Sequence, residues 1–394
     1  MSKTRSARLH DILAGHVSSG AMPGLVALVS RRGETHVEAI GRQSFENDAP
    51  MRRDTIFRIA SMTKPITAAA TLILVEQCKL RLDDPVDDLL PELANRRVLK
   101  SLEGPVDDTV PARRPISARD LLTFTFGLGA VMVWPARHPI QKAMADAGLA
   151  PGPGQLDLSA DEFMKRLGSL PLIHQPGERW LYNSGTEILS VLIARVAGTT
   201  FGEFLRDRIF APLDMKDTAF SVPEAKRNRF ATSYMRDHAT QKLNVFDDPV
   251  TGKFSSPPVF ENGSAGLVST ADDFNAFAQM MLNGGRLGNE RILSRPSVEL
   301  MTTDQLTPEQ KLGSEIFFGD NRGWGMGLSV FTRRDHLCHV PGRFGWDGGY
   351  GTSWYSDPKE NLTGILLTQR MTDSPQPPRA LVDFWTLAYQ AIDD

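Results

Sequence analysis

Strand-like segments gather at the two ends of this 394-residue chain, and helix-like segments fill the middle. Near the N-terminus, Leu25-Val26-Ala27-Leu28-Val29-Ser30, a turn at Arg32-Gly33 and His36-Val37-Glu38-Ala39-Ile40 read as a hairpin. Near the C-terminus, residues 326–331, 351–355 and 364–369 are strand-like again, and a helix over 378–391 closes the chain. Strands so far apart in sequence predict one sheet built from both termini, with a mostly helical insertion between them. Residues 1–84 and 256–394 then form one α/β domain, and residues 85–255 a second, mostly helical one.

Within this frame, residues 6–20 read as an amphipathic helix, and short helical runs are expected at 117–123, 160–168, 184–197 and 201–209. Ser269-Thr270-Ala271-Asp272-Asp273 reads as a helix N-cap ahead of Phe274–Leu282, ended by Asn283-Gly284-Gly285. Pro151-Gly152-Pro153-Gly154 and the stretch 241–260 read as loops.

Ser61-Met62-Thr63-Lys64 opens an apolar run, Pro65 to Val75, whose Ile66, Ala69, Ala70, Ile73 and Leu74 recur at helical spacing. One turn separates serine from lysine, so both side chains share a face. A hydroxyl is a poor nucleophile until something takes its proton, and a desolvated amine can do that. The tetrapeptide alone is weak, arising about once by chance in a chain this long. A second copy, Ser356-Asp357-Pro358-Lys359, reads as a turn. Only Ser61 sits where a helix begins.

Two further stretches could carry chemistry. Tyr182 precedes an apolar helix, Ile188 to Val196; from position alone it reads as packing, with its hydroxyl on a carbonyl. The alternative is a phenol that shuttles a proton, with Lys64 nearby favouring phenolate. In Phe344-Gly345-Trp346-Asp347-Gly348-Gly349-Tyr350-Gly351, glycines allow close backbone approach, and a strand edge could aim an N–H at a carbonyl oxygen. Trp346 reads equally as packing or as a wall against substrate.

Together these stretches resemble the serine β-lactamase and penicillin-binding-protein superfamily, specifically the class C β-lactamase-like esterases (family VIII carboxylesterases), over nearly the whole chain. Ser61 and Lys64 match the first motif, Tyr182 the tyrosine of Tyr-x-Asn, and Trp346-Asp347-Gly348 the third motif, which is Lys-Thr-Gly in lactamases. Supporting matches lie at 116–123, 209–218 and 265–273. The resemblance implies a β-lactamase/DD-peptidase-like fold, an antiparallel sheet flanked by helices, with the active site between the two domains. It implies Ser61, Lys64 and Tyr182 as catalytic residues, backbone N–H groups of Ser61 and Gly349 as the oxyanion hole, and Trp346, Asp347, Gly348 and Ser184 against substrate. Which of Lys64 and Tyr182 is the base stays open, and no cofactor or metal is implied. Two departures stand out: Ser184 replaces the motif's asparagine, and Trp346 replaces a lysine that binds carboxylates. A tryptophan offers no charge-assisted bond to an anion, so neutral esters are favoured. The expected activity is a serine carboxylesterase acting through an acyl-enzyme. A β-lactamase, a D-amino-acid peptidase or an acyltransferase on the same scaffold remains open, as does a non-catalytic binding module.

The rest of the sequence narrows the field. A composition of 41% hydrophobic and 23% charged residues is that of a soluble globular protein. A net charge of -3 gives no footprint for nucleic acid. No stretch reaches the ~18 apolar residues that span a bilayer, and no secretory signal is evident. With two cysteines, Cys78 and Cys338, in no ligand spacing, a reducing cytoplasm fits. No Gly-x-Ser-x-Gly elbow or His-Glu-x-x-His occurs. His336 and His339 read as satisfied histidines in a strand-like segment without a third ligand. Gly323-Trp324-Gly325-Met326-Gly327 reads as a glycine-containing strand, since no helix follows it. Asp83-Asp84 and Asp87-Asp88 read as a solvated turn. A small-molecule ester is the only partner expected, and the oligomeric state is open.

Overall fold

The computed structural model describes residues 3–133, 135–152, 154–374 and 376–394. Helix α1 (Lys3–Ser18) leads into β1 (Gly24–Arg31) and β2 (Glu34–Gly41), which pair antiparallel with Arg31 opposite Glu34. The turn between them holds Arg32 at φ 51° and Gly33 at φ 85°, the positive pair that a tight right-twisted hairpin requires. The other strands come from the far end: β3 (Arg322–Trp324), β4 (Ser329–Phe331), β5 (Phe344–Gly348), β6 (Thr352–Asp357) and β7 (Leu362–Thr368). They form one seven-stranded sheet in the order β3-β4-β5-β6-β7-β1-β2. Every neighbouring pair is antiparallel, and β1 against β7 joins the two ends of the chain.

All eight residues of β1 and all seven of β7 are buried, so both faces of the sheet centre are covered. Alternation divides their side chains. Leu25, Ala27 and Val29 join Leu9 and Leu13 of α1 and Phe384 of helix α5 (Arg379–Gln390) in one core. Val26 and Leu28 face the other way, into a larger core with Ile66 of α2 (Thr63–Glu76) and Phe274 and Phe277 of α4 (Ala271–Leu282). Thr270 caps α4 by accepting the Asp273 N–H at 3.2 Å, and Gly284 and Gly285, at φ 62° and 92°, lead the chain away from it.

Between residues 85 and 255 lie helices Ala118–Leu122, Pro139–Asp146, Ala160–Ser169, α3 (Ser184–Ala197) and Phe201–Leu205. The stretch 241–260 is not all loop: Leu243–Asp247 pairs with Ser233–Arg236. Three successive residues of that strand, Asn244, Val245 and Phe246, are exposed, so it carries no alternating signature of a half-buried strand. The strand expected at 326–331 is confined to Ser329–Phe331, because Gly327 turns the chain at φ 73°. Pro151, Gly152 and Gly154 lie outside helices and strands, while Pro153 falls outside the described residues. Among the described residues no single helix is long and apolar enough to cross a membrane.

Candidate active site

Ser61 lies in a single 3-10 turn, Ala60–Met62, that runs directly into α2. Ala60 takes φ 45°, a left-handed conformation that a side chain normally avoids and that costs on the order of 1–3 kcal/mol. The turn is braced from the sheet: the Thr352 hydroxyl donates to the Ile59 carbonyl at 3.1 Å. Gly348 permits that approach, since a Cβ there would collide with both the Ile59 carbonyl and the Thr352 hydroxyl.

Lys64 is wholly buried one helical turn on, with Nζ 3.0 Å from Ser61 Oγ and donating to the Ser264 carbonyl at 2.9 Å. Burial lowers this amine from 10.5 to about 7, while the charge of Glu187 acts in the opposite direction. Tyr182 arrives from the turn before α3, and its hydroxyl donates to Ser61 Oγ at 2.8 Å. Its ring lies in an aromatic box, 5.8 Å from Trp180, 5.0 Å from Phe317, 5.6 Å from Trp346 and 6.0 Å from Phe124. Lys64 Nζ sits 4.7 Å from the ring centroid. Desolvation in this box pushes the phenol up to about 12. Lys64 therefore does not favour phenolate, contrary to the simple expectation from proximity. At neutral pH the phenol keeps its proton and the amine can lose its own.

The indole of Trp346 donates from Nε1 to Tyr182 Oη at 2.8 Å. Sequence left this residue between packing and wall; it packs against Tyr182, Phe317 and Trp324, and it also fixes the phenol oxygen. β4 pairs with Phe344 and Gly345 only, so among the described residues no strand pairs with the Trp346–Gly348 end of β5 on that side. With one donor removed and an aromatic ring retained, Trp346→Phe is expected to lower kcat/KM for an activated ester about tenfold, with a melting temperature lowered by a few degrees through the smaller ring. Steady-state kinetics and a melting curve check this; equal rates would show that the bond carries nothing.

Three residues expected against substrate are placed elsewhere. Asp347 follows Trp346 on the strand and so faces the opposite side of the sheet, where its carboxylate accepts from the Ser353 hydroxyl at 2.6 Å and from Tyr355 at 3.2 Å. Gly348 is buried against Ile59, a packing contact. Ser184 is buried at the start of α3, and its hydroxyl donates to none of Ser61, Lys64 and Tyr182. Gly349 lies in the turn after β5, pinned by the Thr372 N–H on its carbonyl at 3.0 Å.

Sequence reasoning missed Ser264, Asn262 and Glu187, which surround Lys64. Ser264 and Asn262 lie about 200 positions from it in sequence, in a stretch without periodicity. Glu187, in the first turn of α3, carries only the signal of an acidic residue suited to a helix N-terminus. His336 and His339 also differ from expectation: they lie in a turn, not a strand, and Cys338 joins them with ligand atoms within 4.8 Å. His339 Nδ1 donates to the Asp335 carboxylate at 2.6 Å, and burial, with Arg322 and Arg343, biases the ring toward the neutral form. Asp83 is paired with Arg119 at 2.6 Å. In the second Ser-x-x-Lys, Ser356 is buried in β6 on Thr363 while Lys359 is exposed.

A Ser-Lys-Tyr cluster, its serine and lysine buried and its tyrosine partly so, between an antiparallel sheet and a helical layer defines the serine β-lactamase class of fold. The chain belongs to the Beta-lactamase family, whose model matches residues 9–384. It is 38% identical over 365 residues to Protein Rv1367c of Mycobacterium tuberculosis (strain ATCC 25618 / H37Rv), covering 90% of this chain and 88% of that one. It is 30% identical over 383 residues to Esterase EstB of Burkholderia gladioli, covering 92% and 90%. The structure of EstCE1, described as a hydrolase with promiscuous acyltransferase activity, superimposes with a TM-score of 0.80 at 24% identity, covering 98% of this chain and 99% of that one. The chain thus shares its family with a protein described as an esterase and its fold with one described as a hydrolase with promiscuous acyltransferase activity.

Proposed function

We propose that this protein is a serine carboxylesterase that cleaves neutral carboxylic esters through an acyl-enzyme on Ser61. The observation that carries the reading is the contact of Ser61 Oγ with a buried amine at 3.0 Å and a protonated phenol at 2.8 Å. Ser61 Oγ attacks the ester carbonyl while its proton passes to the lone pair of Lys64, whose N–H on the Ser264 carbonyl holds the amine in line. Charge develops on the carbonyl oxygen, which the N–H groups of Ser61 and Gly349 receive, each contributing about 3 kcal/mol. The leaving alkoxide takes the Tyr182 proton, and the Lys64 ammonium restores it. Water then attacks the acyl-enzyme by the same steps in reverse.

Substrate preference follows from the walls. Trp346 stands where lactamases place a lysine, and Tyr182, which donates to the serine, packs against Phe317 and Trp346 in an apolar cluster. Trp346 itself offers an anionic penicillin or peptide carboxylate no charge-assisted bond. Similarity to EstB supports ester cleavage, and the EstCE1 description favours a second reading, acyl transfer to an alcohol.

Turnover of p-nitrophenyl butyrate and nitrocefin, each with and without 1-butanol, tests both. Butyrate release with negligible nitrocefin opening supports the esterase; faster nitrocefin opening contradicts it. Butyl butyrate among the products adds acyl transfer. No labelling of the folded protein by a fluorophosphonate would leave only a binding function.

A further inference from the structure

Lys64 becomes a buried cation whenever it accepts the Ser61 proton, and a buried cation without a counter-charge is costly by several kcal/mol. Its immediate neighbours, Ser61 Oγ, the Ser264 carbonyl and the Tyr182 ring, carry no formal charge. The charge stands one layer behind. Glu187 is 7% exposed, and its Oε1 accepts two amides, Asn183 Nδ2 at 3.1 Å and Asn262 Nδ2 at 3.3 Å. Both asparagines also grip the segment that holds Lys64. Asn262 Oδ1 accepts the Ser264 N–H at 2.6 Å, and the Asn183 carbonyl accepts the Ser264 hydroxyl at 2.9 Å. Asn183 adopts φ 95°, and such strain beside Tyr182 persists only where the surroundings impose it.

We propose that Glu187 is a positioning residue of this site, its buried carboxylate serving as counter-charge for the ammonium that forms on Lys64. The inference rests on the reading of Lys64 as the base. Glu187 exchanges no proton itself: the proton lost by Ser61 Oγ resides on Lys64 Nζ, and the carboxylate lowers the free energy of that charged state. Burial raises Glu187, and the charge of Lys64 draws it back toward ionisation. Among the described residues the titratable group packed on Lys64 is Tyr182, from the turn before α3; Asp347, on the far face of β5, reaches the cluster only through its charge on Tyr182. The Glu187 and Asp347 charges both act to keep Tyr182 protonated. Glu187 thus acts on both partners of Ser61, strengthening the amine as a base and holding the phenol as an acid.

Removing the negative charge makes the ammonium less stable, so Lys64 loses its proton at lower pH. In the full-length protein, Glu187→Gln is expected to move the acid limb of the pH profile of kcat/KM for p-nitrophenyl butyrate down by about one unit. Its plateau should fall by up to about tenfold, because the base is weaker by that unit. Glu187→Asp keeps the charge but retracts it by one methylene, and moves the limb in the same direction by less. A Glu187 that merely satisfies two amides would lower the plateau or the melting temperature and leave the limb in place. Limbs of both variants coinciding with that of the unsubstituted protein would overturn the assignment, and Glu187→Asp alone decides if the glutamine variant does not fold. An unsubstituted protein with no acid limb near neutrality would instead remove Lys64 as base, a separate failure.

Discussion

Ser61→Ala is expected to reduce p-nitrophenyl butyrate turnover to background, a loss on the order of 10⁴- to 10⁶-fold. Loss of a nucleophile that acts as one unit with its base leaves only binding and oxyanion contacts to assist attack by water. The change removes one oxygen from a residue 9% exposed, so the fold should tolerate it. Tyr182 and Lys64 lose an acceptor but keep Trp346 and the Ser264 carbonyl respectively. Melting temperature should therefore stay close to that of the unsubstituted protein, and fluorophosphonate labelling should vanish. Turnover within a hundredfold of the original would mean that another group attacks the ester.

Lys64→Met should cost about 10²- to 10⁴-fold in kcat/KM, the range that a positioned base supplies. Methionine keeps length and apolar volume but has no lone pair for the Ser61 proton. The pH profile separates base loss from misplacement. With burial holding Lys64 at about 7, kcat/KM of the unsubstituted protein should rise through neutrality as the ammonium loses its proton. Because Tyr182 stands at about 12, no descending limb follows in the accessible range. Lys64→Met should abolish the ascending limb together with the rate. It should also lower stability by about 1–3 kcal/mol in urea denaturation, since the Ser264 carbonyl loses its donor and Glu187 its opposite charge. A variant that keeps the limb near neutrality would assign that titration to another group.

The sheet was legible in the sequence because its central strands are long, apolar and buried on both faces, as in β1 and β7. The strand Leu243–Asp247 was not, because it lies at the surface, exposes consecutive residues and is held by pairing with Ser233–Arg236. Within the site, the helical spacing of Ser61 and Lys64 was local and could be read directly. Tyr182 was visible only through resemblance, since nothing about a tyrosine before a helix separates packing from proton transfer. Asp347 and Gly348 shared a motif with Trp346, yet strand alternation and a tight backbone contact send them to other tasks. Glu187, Asn262 and Ser264 escaped because their significance lies in tertiary proximity to Lys64. Periodicity reports which face is buried, never which buried groups meet.

The proposed reaction turns on a covalent bond to one oxygen. Protein mixed with p-nitrophenyl butyrate, quenched in acid within the first turnovers and digested for mass spectrometry, measures it most directly. The butyryl group should appear on the peptide that contains Ser61, and be absent from Ser61→Ala. Rapid p-nitrophenol release with an unmodified Ser61 peptide, or with the acyl group on another residue, would contradict it.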